Sequence, residues 1–383
     1  MDAIAVFSDI YSDSGSQMDE ITWLYDVYCP LLRDYVASMS AFMDSIAKDG
    51  QAALAYPDGL DIFGWLSKPS SAPATEYLSQ DAVSAPLFGL KQFMRIMVLY
   101  KTLGMSPGQF VDQFKAIIGH GHGLAIAAAF STLTDESSFY TVSKKVLGIL
   151  LLAGAMPHNA QMANSMTGMA VANGDARSMV LVQGISVGDL NKSVTEFNKR
   201  QSADIDCVHM ALADVGDTPI VAAKQSAATR FMNHLQHERI KDSNIAASGC
   251  SDSLESLVRT ANDNGWALDS SNMRLPVYTI DGGRSICDEP DLTKCLLEHS
   301  CNPPAGLVQV STDCAGSRIV VFGSSKPTGF EHLVHRFVEG TGASVVHANV
   351  TVQDTLYPHI GGAASLYSQH GDDSSASPDW HSL

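Results

Sequence analysis

A chain of 383 residues with 45% hydrophobic and 17% charged residues can bury a large core, as one domain with an insert or as two domains, and is not a disordered polyelectrolyte. Its net charge of −17, from 24 basic and 41 acidic residues, argues against a general nucleic-acid binder, which needs a basic field, and any acidic partner must find a local basic patch. The seven cysteines are odd in number and contain no C-x-x-C pair, which argues against a disulfide framework or a zinc site and fits reduced cytoplasmic thiols.

The amino-terminal stretch "MDAIAVFSDIYSDSG" lacks a basic start and a long apolar run, so it does not read as a signal peptide. Within it, "IAVFSD" suits a buried strand of a parallel sheet followed by a turn. A helix with apolar positions from Leu24 to Tyr35 comes next, then a short helix in "GLDIFGWL" closed by a Pro/Ser linker. "SAPLFGLKQFMRIMVLYKTLGM" predicts a long apolar helix with Gly104 at its carboxyl end. "IIGHGHGLAIAAAF" outlines a strand, a sharp turn and a helix. "SFYTVSKKVLGILLLAGAM" predicts another apolar helix, whose eleven most apolar residues are too few for the ~20 that span a bilayer.

The texture changes near residue 177, where strand, helix, strand, strand and helix follow within a short span and suit a small ferredoxin-like insert. Ser186 is the candidate N-cap of the first of these helices. Strand candidates then return in "RLPVYTI", "SRIVVFG" and "ASVVHANV", before a polar Ser/Asp-rich tail.

The segment Gly119-His120-Gly121-His122-Gly123 has the spacing of a nucleophile elbow, in which a strained strand-to-helix turn lifts a serine at its middle position. Here that position is Gly121, which has no side chain. Glycine adopts the dihedrals of such a turn without Cβ strain, so the turn is expected to survive without its chemistry.

From residue 4 to about 350 the chain resembles the acyltransferase domain of the fungal fatty acid synthase β subunit, and more distantly the starter-unit acyltransferase domains of fungal polyketide synthases. The resemblance rests on a collinear series: "GLDIFGWL", "APLFGLKQF", "LGMSPGQF", "GHGHGLAIAAAF", "SFYTVSKKVLGILLLAG", "RLPVYTIDG" and "IVVFGSSKPTGFEHLVHRFVEGTGASVVHAN". It implies an α/β-hydrolase-like acyltransferase core, a parallel sheet flanked by helices, with a ferredoxin-like inserted subdomain. The core would comprise residues 1–176 and 243–362, the insert 177–242, and the tail 363–383. The implied activity is transfer of an acyl group from coenzyme A, through a serine or cysteine, to the phosphopantetheine thiol of a carrier protein.

Laid over the family's pattern, the site residues depart from it at the nucleophile, the base and the oxyanion turn. The nucleophile falls on Gly121, between His120 and His122; the backbone N–H after the nucleophile, here that of His122, belongs to the oxyanion hole. The histidine base falls on Cys250, with His234 and His237 standing earlier on a face expected to be solvated. The oxyanion turn after the first strand falls on Ser8, Asp9, Ile10 and Tyr11, with Ile10 at the family's glutamine and Tyr11 at a glycine. The arginine that clamps a malonyl carboxylate falls on Met156, a pocket-wall residue that implies an uncharged acyl chain. "DGGRS" reads as a structural turn, and Lys326 is a contact candidate for a coenzyme A phosphate.

The resulting expectation is a catalytically degenerate acyltransferase-like domain of fatty acid or polyketide synthesis. No cofactor is bound covalently and no metal is held. The ligand is an acyl-CoA or acyl-phosphopantetheine, and the partner an acyl carrier protein or another synthase domain, in the cytoplasm and away from nucleic acid and membranes. The alternative is an active acyl-CoA:carrier-protein transferase with a displaced nucleophile such as Cys250, which is activated only if its thiol loses its proton readily.

Overall fold

The computed structural model describes residues 3–8, 17–49, 55–166, 177–182, 187–200, 208–212, 220–224, 227, 230–231, 234–235, 242–247, 254–280, 283–301, 317–322, 334 and 342–348. Five parallel strands form the main sheet in the order β7-β2-β1-β8-β9: β1 (Ala3–Phe7), β2 (Phe114–Gly119), β7 (Val277–Thr279), β8 (Arg318–Phe322) and β9 (Ser344–His347). All five residues of β1, "AIAVF", are buried, because the strand is central and covered on both faces. Ala3, Ala5 and Phe7 face the larger core, while Ile4 and Val6 face a second cluster with Ile118, Ile280, Ile319 and Val321. Each fully buried Val or Ile of this kind stabilises the fold by roughly 1.5–3 kcal/mol.

Helices pack over the larger core: α1 (Gln17–Ala47), α2 (Ile62–Ser67), α3 (Thr75–Leu78), α4 (Asp81–Thr102), α5 (Pro107–Val111), α6 (His122–Ser131) and α7 (Glu136–Met166). α1 kinks at Tyr28 (φ −119°, ψ 26°), two residues before Pro30, whose ring and missing N–H break the helical ladder. The helix expected over "SFYTVSKKVLGILLLAGAM" forms and is part of the 31-residue α7, which continues past it to Met166. By length and composition α4 and Glu136–Ala155 match bilayer-crossing helices, yet 94% of the α4 window is buried inside the fold, where a core helix has the same composition. Arg274 ties the far end of α6 to α5: its guanidinium donates to the carbonyls of Leu133 (2.8 Å) and Gly108 (3.3 Å) and pairs with Asp112 (2.6 Å).

One feature of α4 breaks its apolar pattern. Lys91 and Arg95, 0% and 3% exposed, both reach one carboxylate oxygen of Glu20 in the first turn of α1, Lys91 at 3.3 Å. Lys91 Nζ also lies 5.7 Å from the centre of the Phe88 ring. Such buried charges persist only when paired.

A second, antiparallel sheet has the order β4-β5-β3-β6: β3 (Arg177–Val182), β4 (His209–Leu212), β5 (Ile220–Lys224) and β6 (Asp242–Ala247). With α8 (Val187–Lys199) between β3 and β4, and helical residues at 227, 230–231 and 234–235 before β6, this is the ferredoxin-like arrangement. Its own core joins Leu190, Val194 and Phe197 of α8 to Val221, Phe231 and Leu235. β6 carries this sheet past the insert boundary expected at 242; "DSNIAA" has no apolar alternation to announce a strand. His234, expected on a solvated face, is half-buried: its ring lies 5.9 Å from Phe197 and 6.3 Å from Phe231. Two further helices, α9 (Leu254–Asp263) and α10 (Leu292–Cys301), pack against each other and against α7. Ser186, His237 and the tail 363–383 lie outside the described residues.

Candidate active site

The elbow forms where β2 ends at the carboxyl edge of the sheet. Gly119 pairs with Phe7 of β1 on one side and Thr279 of β7 on the other. His120 N–H donates to the Phe7 carbonyl at 3.1 Å, extending the ladder by one residue. The chain then reverses at Gly121, with φ 52° and ψ −126°, and enters α6 at His122. That backbone conformation is strained for any residue with a β-carbon. The turn closes through Gly123 N–H to the His120 carbonyl (2.8 Å) and Leu124 N–H to the Gly121 carbonyl (3.0 Å).

The outer glycines of the motif have a steric role. A β-carbon on Gly119 would lie 2.5 Å from Leu124 Cα, and one on Gly123 would lie 2.2 Å from the Ser8 carbonyl oxygen and 2.5 Å from that of Phe7. α6 can therefore meet the end of β1 only through glycine. His120 and His122 are 9% and 5% exposed, so both are held in the packed base of the turn. The N–H of His122 is the first of α6, one of the groups a helix cannot pair internally. The apex of the turn carries no side chain.

Of the expected oxyanion turn, Ser8 is described: it is 2% exposed, directly beside Gly123, and its N–H reaches the Phe322 carbonyl at 3.5 Å. Asp9, Ile10 and Tyr11 lie outside the described residues, as do Cys250 and Lys326. Met156 lies on α7. In "DGGRS", Gly283 (φ 59°) donates to the Thr279 carbonyl and Arg284 pairs with Glu289, a structural turn among its described residues. Among the described residues no group of three or more His, Cys, Asp or Glu is placed to hold a metal ion. Cys287 is half-buried, and Cys295 and Cys301 are buried on α10.

An aromatic platform beside the turn was not expected from the sequence. Phe7 stacks on Phe322 with centroids 4.6 Å apart and packs on Phe130 of α6 at 5.5 Å; Phe110 and Phe114 lie 5.8 and 5.5 Å from Phe130. Phenylalanine at the ends of two neighbouring strands and of the helix after the elbow was the available signal.

A family profile described as "Starter unit:ACP transacylase in aflatoxin biosynthesis" matches residues 5–213, more than half of the chain. The chain belongs to this starter-unit transacylase family. Its match ends inside the second sheet, and relatives extend the likeness. The fatty acid synthase beta subunit aflB of Emericella nidulans is 30% identical over 207 residues, 54% of this chain and 9% of that protein. The fatty acid synthase subunit beta of Saccharomyces cerevisiae is 23% identical over 376 residues, 90% of this chain and 18% of that protein. The family member described here therefore spans less than a fifth of the length of these two relatives. Among solved structures, a malonyl-transacylase in complex with a type II polyketide synthase acyl-carrier protein has a TM-score of 0.55 at 13% identity, covering 91% of this chain and 96% of that one. The malonyl CoA-acyl carrier protein transacylase of Coxiella burnetii has a TM-score of 0.53 at 15% identity, covering 91% and 94%. These likenesses establish the acyltransferase fold.

Proposed function

We propose that this transacylase-family domain is catalytically silent and serves fatty acid or polyketide synthesis as a structural module or as a binder of acyl thioesters and their carrier. The observation that carries this reading is Gly121: the apex has the elbow's backbone geometry and no atom that attacks a thioester. Acyl transfer through an enzyme intermediate requires a nucleophile and a base to activate it. In the alignment by resemblance, both positions are vacated, by Gly121 and by Cys250.

What remains is suited to holding a thioester. The turn at Gly121 enters α6 at the carboxyl edge of the sheet, and the amino end of a helix favours a carbonyl oxygen that is held there without being attacked. Met156 in place of a carboxylate-pairing arginine favours an uncharged acyl chain. The acyl carrier protein seen with the malonyl-transacylase of similar fold supports a carrier or synthase domain as partner. The ligand is then an acyl-CoA or acyl-phosphopantetheine, met in the cytoplasm.

The test is transfer itself. The chain is incubated with acyl-CoA thioesters from acetyl to dodecanoyl and a phosphopantetheinylated carrier protein, and the carrier's mass is followed. No acylation above the protein-free control is expected. Acylation that is lost in Cys250→Ala would instead establish a transferase with a displaced cysteine nucleophile.

A further inference from the structure

Among the described residues, the large apolar side chains that stand exposed are Trp23, at 38%, and Val27, at 51%. Both lie on α1, four residues apart, so they share one helix face. The core does not use that face: α1 buries Met18, Ile21, Leu24, Leu32 and Tyr35 instead. Apolar residues scattered singly over a surface are ordinary, whereas exposed apolar neighbours mark a place of contact. Pro30 is also exposed and Leu31 is half-buried, so the stripe continues past the kink at Tyr28. The Trp23 ring stands edge-on to that of Tyr28, with centroids 6.2 Å apart and planes at 78°. It is therefore packed in place before any partner arrives, and an ordered aromatic anchor loses little conformational entropy on binding.

Charge selects the occupant. The exposed charged side chains along this part of α1 are Asp19, Asp26 and Asp34 against Arg33, and the whole chain carries a net charge of −17. Two copies of the chain meeting here would bring carboxylates together, and any acidic surface is repelled in the same way. A partner with an apolar centre and a lysine or arginine rim is attracted on both counts.

We propose that this face of α1 docks a protein surface of that chemistry, an apolar ridge flanked by basic residues, with Trp23 as the anchor. The contact is separate from any thioester held at the elbow, and the inference is independent of what the elbow does.

The whole chain is titrated with two synthetic amphipathic helices that share a leucine face and differ in its flanks, lysine in one and glutamate in the other. Trp23→Ser/Val27→Ser removes the anchor at two exposed positions and leaves the charge unchanged. Non-specific attraction of lysine to an acidic protein is therefore the same for the native and variant chains. Calorimetry is expected to show the lysine-flanked helix binding the native chain roughly tenfold more tightly than the double variant. That binding is expected to weaken as salt rises and to shift the Trp23 indole N–H resonance. Equal affinity for the native and variant chains overturns the proposal, as does equal binding of the glutamate-flanked helix. Self-association of the native chain that is lost in the double variant also overturns it, because the occupant would then be a second copy.

Discussion

A β-carbon on Gly123 would sit 2.2 Å from the carbonyl oxygen of Ser8, so the first turn of α6 rests directly on the end of β1. The contact is backbone to backbone, and no rotamer change relieves it. Gly123→Ala is expected to lose about 1–3 kcal/mol of stability, the range for overpacking a closed site. A urea denaturation series checks it. An unchanged midpoint would mean that α6 is not seated on Ser8 as described.

Gly121 poses the opposite problem. Its φ of 52° and ψ of −126° strain a side chain by about 1–3 kcal/mol, yet this is the strain that nucleophile elbows carry. Gly121→Ser is therefore expected to fold with a stability loss in that range. Thermal melting of native and variant chains measures it, and a variant that fails to fold would contradict the elbow geometry.

Glu20 holds two buried cations. Glu20→Gln removes the carboxylate that Lys91 and Arg95 share. Breaking a buried pair costs about 3–5 kcal/mol, and the 17% exposure of the Glu20 side chain places the expected loss toward the lower end. Chemical denaturation of the variant tests this, and a loss near zero would show that the cluster is not a stabilising tie between α1 and α4.

Burial raises the phenols of Tyr35, Tyr56, Tyr77 and Tyr100 above the ordinary tyrosine value of 10.0. Tyr56 donates to the Leu151 carbonyl at 2.9 Å and Tyr77 to that of Gly59 at 2.7 Å, bonds that need the protonated form. The unfolded chain loses these protons first as pH rises. Their contribution is thus complete below pH 10.0 and is lost progressively above it. Alkaline titration is expected to show tyrosinate absorbance and loss of circular dichroism rising together above that pH. Full ionisation of all tyrosines with the fold intact would contradict the burial.

Much of this architecture was legible in the sequence because the apolar runs are unambiguous. "IAVFSD" and "SRIVVFG" could be little else than central strands, and Gly119, Gly121 and Gly123 announced a turn whose outer members avoid steric overlap and whose middle member takes a strained conformation. β6 was missed because the strand "DSNIAA" owes its place to pairing with β3 rather than to its own pattern. The full length of α7 was missed because its ends are polar, and helix propensity carries them where periodicity does not. Lys91 and Arg95 could have been found: cations four apart inside "FGLKQFMRIM" demand a partner, but sequence alone does not reveal that it is Glu20, far away on α1.

The central claim is that the elbow keeps its geometry and has lost its chemistry. Intact-mass spectrometry of the native chain and of Gly121→Cys, incubated side by side with the same acyl-CoA panel, tests both halves at once. The account predicts an acyl adduct on Gly121→Cys alone: a thiol at the amino end of α6 ionises without the missing base, and its thiolate displaces coenzyme A from the thioester. An acyl adduct on the native chain, or none on a folded Gly121→Cys, would contradict it.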